Sequence, residues 1–313
     1  MYPYPQPYPG TAYVQPPPQP RTPSGLRWSL VGIALIIGYF ATTALVGVAL
    51  GGVLASFQPT MVDAFLAAVG ALLLATVLVL ILGILVLIFY FIGFGFLYAG
   101  RNEFGPGHAR NLQISLILMI LAVVIGVVQV ATVWILNGSA IRPTGGGGFV
   151  LDPGMFYTAA VANAILGITI AALIAAHFVL NVRALVAPRH DVALYVAAAL
   201  GTATPGVVGS LTLLQLPQYI RVMEAVVESQ SGAVLLPSVD PALGLPLILA
   251  GALGAATFLL YLWAYRGAVV RIRTGEIKAI PLPPAPVTPW APMYPMAPAA
   301  FPPPPPAQPP ASR

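Results

Sequence analysis

Apolar residues fill the middle of the chain in six long stretches, at about 29–57, 62–98, 112–136, 156–186, 192–216 and 243–265. Short segments rich in Gly, Pro, Asn and Arg separate them. Each stretch reaches or exceeds the roughly 20 residues that a helix needs to cross about 30 Å of hydrocarbon. Away from the ends of these stretches, His177 is the only acid, base or histidine in any of them. A bilayer offers no partner to an open backbone N–H or C=O, so the pattern predicts helices that satisfy their own backbones. The expected fold is all-α, a polytopic transmembrane bundle of six spanning helices over 26–280. The first stretch is too long for the apolar region of a signal peptide, about 7 to 15 residues, and reads as a spanning anchor. The second would be about 55 Å long as a helix, so it must tilt, kink or project beyond the bilayer. No turn divides it, and its aromatic end, Phe89 through Phe91 with Phe94, Phe96 and Tyr98, reads as an interfacial belt.

The pattern changes at both ends. Residues 1–25 hold nine prolines, among them Tyr2-Pro3, Tyr4-Pro5 and Tyr8-Pro9, and show no apolar period. Residues 281–313 are Pro-rich again, with five consecutive prolines from Pro302 to Pro306. Both tails are expected to be disordered or polyproline II.

Composition agrees with a chain whose main partner is the lipid bilayer. Of 313 residues, 58% are hydrophobic and 7% charged, against about 25% charged in a soluble domain. The absence of cysteine excludes disulfides, thiolate metal sites and cysteine nucleophiles. The net charge of +5 and the pI near 9.6 are not read as nucleic-acid binding, because placement of charge outweighs its sum in a membrane protein. With the N-terminus inside, Arg21, Arg27, Arg101, Arg110, Arg183, Arg189, Arg266, Arg271, Arg273 and Lys278 fall on the cytoplasmic side. Only Arg142 and Arg221 fall outside. The basic bias predicts a plasma-membrane protein with both termini in the cytoplasm.

The densest polar cluster follows the second stretch and runs from Gly100 to Asn111, with Arg101, Glu103, His108 and Arg110. One reading makes these four a cytosolic ligand or gating site. The other, preferred, is a helix stop in which Gly and Pro break the chain and Arg anchors to headgroups. Here the Gly100-Arg101-Asn102-Glu103-Phe104-Gly105-Pro106 segment resembles uncharacterised archaeal multi-pass membrane proteins. That resemblance implies a helical membrane fold and carries over no activity and no catalytic residue. A weak repeat appears at a shift of 82 residues, placing Phe96, Arg101, Pro106 and His108 on Phe178, Arg183, Pro188 and His190. It would make helices two and three a copy of helices four and five.

Pro205 and Gly206, midway along the fifth helix, form a candidate hinge with a kink or unwound turn. The alternative is a packing kink with the freed carbonyl bonded by a hydroxyl such as Thr202. Gln129 and Asn163 are placed to hydrogen-bond between helices, and His177 reads as structural. Gly47, Gly51, Gly251 and Ala255 favour close helix contact. Asn137-Gly138-Ser139 fits a glycosylation acceptor, and the glycines at 145–148 read as a flexible linker. The segment 218–230 is expected to form a surface helix or to extend helix five. No catalytic set, cofactor site or metal site is predicted, and the oligomeric state is left open. The leading functional expectation is a non-enzymatic membrane protein whose Pro-rich tails dock a cytoplasmic partner. The alternative is a small-solute transporter or channel that uses the kinked fifth helix.

Overall fold

A computed structural model describes residues 20–56, 62–143, 149–229 and 241–280. Within them lie α1 (Thr22–Ser56), α2 (Val62–Ala99), α3 (Pro106–Ser139), α4 (Pro153–Val182), α5 (Pro188–Ser229) and α6 (Leu245–Arg273). All six are long and apolar enough to cross a membrane, so the chain is an α-helical, multi-pass membrane protein. The expected tails at 1–19 and 281–313 and the glycine run at 145–148 lie outside the described residues.

The helix starts follow local chemistry. Pro106, Pro153 and Pro188 open α3, α4 and α5 at positions whose N–H has no intrahelical partner. Asp152 caps α4, its carboxylate accepting from Gly154 N at 3.1 Å. Gly105 precedes Pro106 at φ +93°, a backbone region open chiefly to glycine. Helix α1 begins at Thr22, so 22–25 is helical rather than part of a disordered tail. Pro23 stands in the first turn, where proline is tolerated, and the free N–H groups there find an acceptor described below. Beyond the apolar stretch α5 continues to Ser229, so 218–229 extends that helix. Between α3 and α4, β1 (Ile141–Pro143) and β2 (Phe149–Leu151) form a small antiparallel ribbon, with an ion pair from Arg142 to Asp152 at 3.2 Å.

The helices pack in the order α2, α1, α6, α5, α4, α3. Consecutive in the chain, α2 and α3 scarcely touch, so the bundle is an open arc with these two at its ends. Close approach sets the pairing. Added to Gly93, a Cβ would lie 2.5 Å from Ser29 N of α1. Added to Gly251, it would lie 2.5 Å from both Ala44 N and Phe40 O, so α6 approaches α1 in van der Waals contact, backbone to backbone.

The starts of α1, α3 and α5 and the ends of α2, α4 and α6 gather at one end, which carries the ten basic residues grouped above. The continuous buried cluster lies in the half of the bundle next to this basic end. It includes Leu26, Ile33, Phe94, Leu97, Leu112, Val182, Leu185 and Leu194, with Phe178 stacked on Tyr261 at 4.9 Å. Tyr90 and Phe94 belong to this core, so the aromatic end of α2 is only partly a belt; Phe91 and Phe96 are its exposed members.

Candidate functional site

The Gly100–Asn111 segment does not gather its four polar side chains around one point. Glu103 is buried, and its carboxylate accepts from Arg21 N at 2.6 Å and Thr22 N at 2.9 Å. It thereby caps a helix from 82 residues away, the anionic group meeting the positive end of the α1 dipole. Thr22 Oγ1 donates in return to Gly100 O at 3.2 Å. The backbone carbonyl of Glu103 accepts from Ile280 N at 2.7 Å. Arg101 is half-buried, its guanidinium 4.6 Å from the Tyr98 ring centre and donating to Tyr98 O at 3.2 Å, and Arg110 is exposed. His108 is buried edge-on against Phe104, and neither ring nitrogen has a hydrogen-bond partner among the described residues. The arrangement is a structural latch at the basic end.

A second polar group lies deeper and joins three helices. His177 Nδ1 is 2.9 Å from the carbonyl of Ser115, which can only accept, so Nδ1 carries the proton. Nε2 is then left to accept from the Tyr90 hydroxyl at 2.5 Å. Asn181 Nδ2 donates to that same hydroxyl at 3.1 Å, and Ser115 Oγ donates to Asn181 Oδ1 at 2.5 Å. Ser115 Oγ also lies 2.6 Å from His177 Nδ1, so the four side chains form a closed ring, and all are buried. Phe94 and Phe178 flank the imidazole with ring centres at 5.0 and 5.7 Å. Tyr265 donates to Phe178 O at 3.2 Å, tying α6 to the same place. This clamp bridges α2 to α3 through α4 and closes the arc at the basic end.

Farther from the basic end the arc stays open inside. A cavity of about 320 Å³ is lined by Phe40, Ala171, Ile174, Gly201, Thr204, Pro205, Val208, Gly254, Thr257 and Tyr261, among others. A second, of about 540 Å³, lies between α1 and α2 and shares Phe40. Pro205 thus stands on a cavity wall, but α5 is helical without interruption through it. The hydroxyls of Thr202 and Thr204 return to Ala198 O and Leu200 O at 2.8 Å, one turn back on their own helix. Neither reaches Gly201 O, the carbonyl whose usual donor Pro205 lacks. Thr257 likewise donates to Leu253 O at 2.8 Å. The cavity wall is apolar, with its hydroxyls already used.

Gln129 Nε2 donates to Asn163 Oδ1 at 2.8 Å, the interhelical bond expected from the sequence. Asn137 falls in the last turn of α3. The 82-residue shift finds a local echo, because Pro106 and Pro188 both open helices and His108 and His190 are both buried two residues on. The pairs differ in packing, since α4 lies against α5 along much of its length while α2 and α3 scarcely meet. Of the clamp, sequence reading isolated only His177. Asn181 stands four residues on and therefore on the same helix face, which is the signal that could have found it. Comparison with protein-family models, with curated proteins and with solved structures finds no match.

Proposed function

We propose that this chain is a non-enzymatic membrane protein whose two Pro-rich tails dock one cytoplasmic partner. One observation carries this reading. Arg21 N and Ile280 N, the last backbone groups held before each tail, are both bonded to Glu103. Residues 1–19 and 281–313 therefore continue from adjacent points on the bundle. Two ligands tethered at one point raise each other's effective concentration, so a partner with two polyproline-binding grooves gains avidity without new contacts.

Two experiments test the proposal. Single Cys replacements at Thr11 and Ser139 in this cysteine-free chain are exposed to an impermeant thiol reagent in intact cells. Labelling at Ser139 and protection at Thr11 are expected; the reverse places the tails outside and removes a cytoplasmic partner. Crosslinking in the native membrane then compares the full chain with variants lacking 1–19, 281–313 or both. Loss of one tail should weaken capture of a shared partner by about tenfold or more, the scale of avidity for linked sites. Equal capture after removal of both tails refutes the docking reading.

A further inference from the structure

We infer that the inner cleft of the arc is a binding site for the hydrocarbon chain of a membrane lipid, which inserts sideways between α2 and α3. This rests on the cavities and the open arc alone, independently of the tails. Water is a poor occupant, because a buried water needs two to four polar partners, and with the hydroxyl protons of Thr204 and Thr257 given to Leu200 O and Leu253 O the wall offers little beyond the Gly201 carbonyl freed by Pro205. A helix of a second copy is excluded by size, since a helix is about 10 Å across and the cavity beside Pro205 holds about 320 Å³. Flexible alkyl chains fit. Small residues make the space, with Ala171, Gly201 and Ala250 on its wall. The Phe40 ring, stacked on Phe258 at 5.6 Å, stands between this cavity and the neighbouring one of about 540 Å³, so the two form a trough with an aromatic divider. Below it the stack of Phe178, Tyr261 and Phe258 and the His177 clamp form a closed floor. The access route follows from packing, because α2 and α3 flank the only interval in the arc where neighbouring described helices scarcely touch.

An alkyl chain reaches this trough either from a phospholipid or from an isoprenoid lipid, and photoactivatable forms of both separate the sources. The full chain is reconstituted with phosphatidylcholine carrying a diazirine on one acyl chain, or with a diazirine-bearing polyisoprenyl phosphate. The sample is washed with detergent before irradiation and labelled residues are mapped by mass spectrometry. Washing should strip probe from the outward-facing Leu214 and Ile117, which are 77% and 63% exposed, while one of the probes still labels Ile174, Val208 or Phe258. Whichever probe does so names the source. Ala171→Phe narrows the cleft by the volume of more than two methylenes and should lower the retained label about tenfold. Wall residues left unlabelled by both probes, or stripped as readily as Leu214, would overturn the proposal, and this wild-type result decides the matter even if Ala171→Phe fails to fold. Retention unchanged in a folded Ala171→Phe protein would overturn it as well.

Discussion

The half of the bundle beside Glu103 and the half beyond Tyr261 are built from the same helices and the same kinds of apolar side chain, but among the described residues only the first holds the continuous buried cluster. In water both would have collapsed, because apolar surface is driven together wherever it occurs. In a bilayer lipid tails are as apolar as leucine, so helices associate through shape and polar bonds. The basic half has both, in the close approach at Gly93 and in the Tyr90, Ser115, His177 and Asn181 ring. The other half keeps close approach between α1 and α6 at Gly251, but among the described residues no polar group draws α2 and α3 together. Hydrophobicity alone therefore does not tell where a membrane bundle is solid.

The largest effect that tests this contrast is His177→Ala. It removes the centre of the clamp and leaves the Tyr90 hydroxyl without its acceptor and the Ser115 carbonyl without the imidazole N–H, at about 1–3 kcal/mol each before relaxation, so a net loss of about 3 kcal/mol is expected in a detergent unfolding titration. A loss confined to a few tenths would show that the clamp is ornamental to stability. Next, Gly93→Val forces α1 from α2 and should cost about 2–3 kcal/mol, the range for overpacking, with the same readout. Leu97→Ala, in the buried cluster, is expected to cost about 2 kcal/mol, mostly lost dispersion contacts. Glu103→Gln leaves one acceptor oxygen for two backbone N–H groups, sets an NH2 against the other and loses the charge, so it should cost about 2 kcal/mol, alongside Leu97→Ala. It should appear as faster amide hydrogen exchange confined to the first turn of α1. Ile174→Ala, on the cleft wall, should cost less than about 1 kcal/mol, because its side chain is 37% exposed and lipid can replace what is removed. Equal costs for Leu97→Ala and Ile174→Ala would break the distinction between the two halves.

The six helices were legible because a bilayer leaves the backbone few choices, and the interhelical bond between Gln129 and Asn163 was legible because isolated polar residues in apolar helices seek one another. The loop from Gly100 to Asn111 was visible as a cluster, but its chemistry was not. Glu103 acts through Arg21 N and Thr22 N, which are far off in sequence, whereas Arg101 folds onto Tyr98 and Arg110 is exposed. Tyr90 was hidden among aromatic neighbours, since a belt and a core-facing hydroxyl share one composition. Ser115 carries no signal by itself; a serine in a membrane helix usually bonds its own backbone, and only the packing of α3 on α4 brings it to His177. The continuous helix through Pro205 was likewise not decidable, because a proline removes one bond without dictating whether the turn unwinds.

The order in which the helices sit has a consequence for biosynthesis. Of the six helices α1 leaves the ribosome first, yet one of its two neighbours, α6, leaves it after the other five. Until α6 arrives, Ala44 and Gly47 offer an unoccupied contact strip to lipid, and a chain interrupted before 245 never covers it. The α1 to α6 seam can therefore form only once α6 has been inserted, late in the assembly of this bundle.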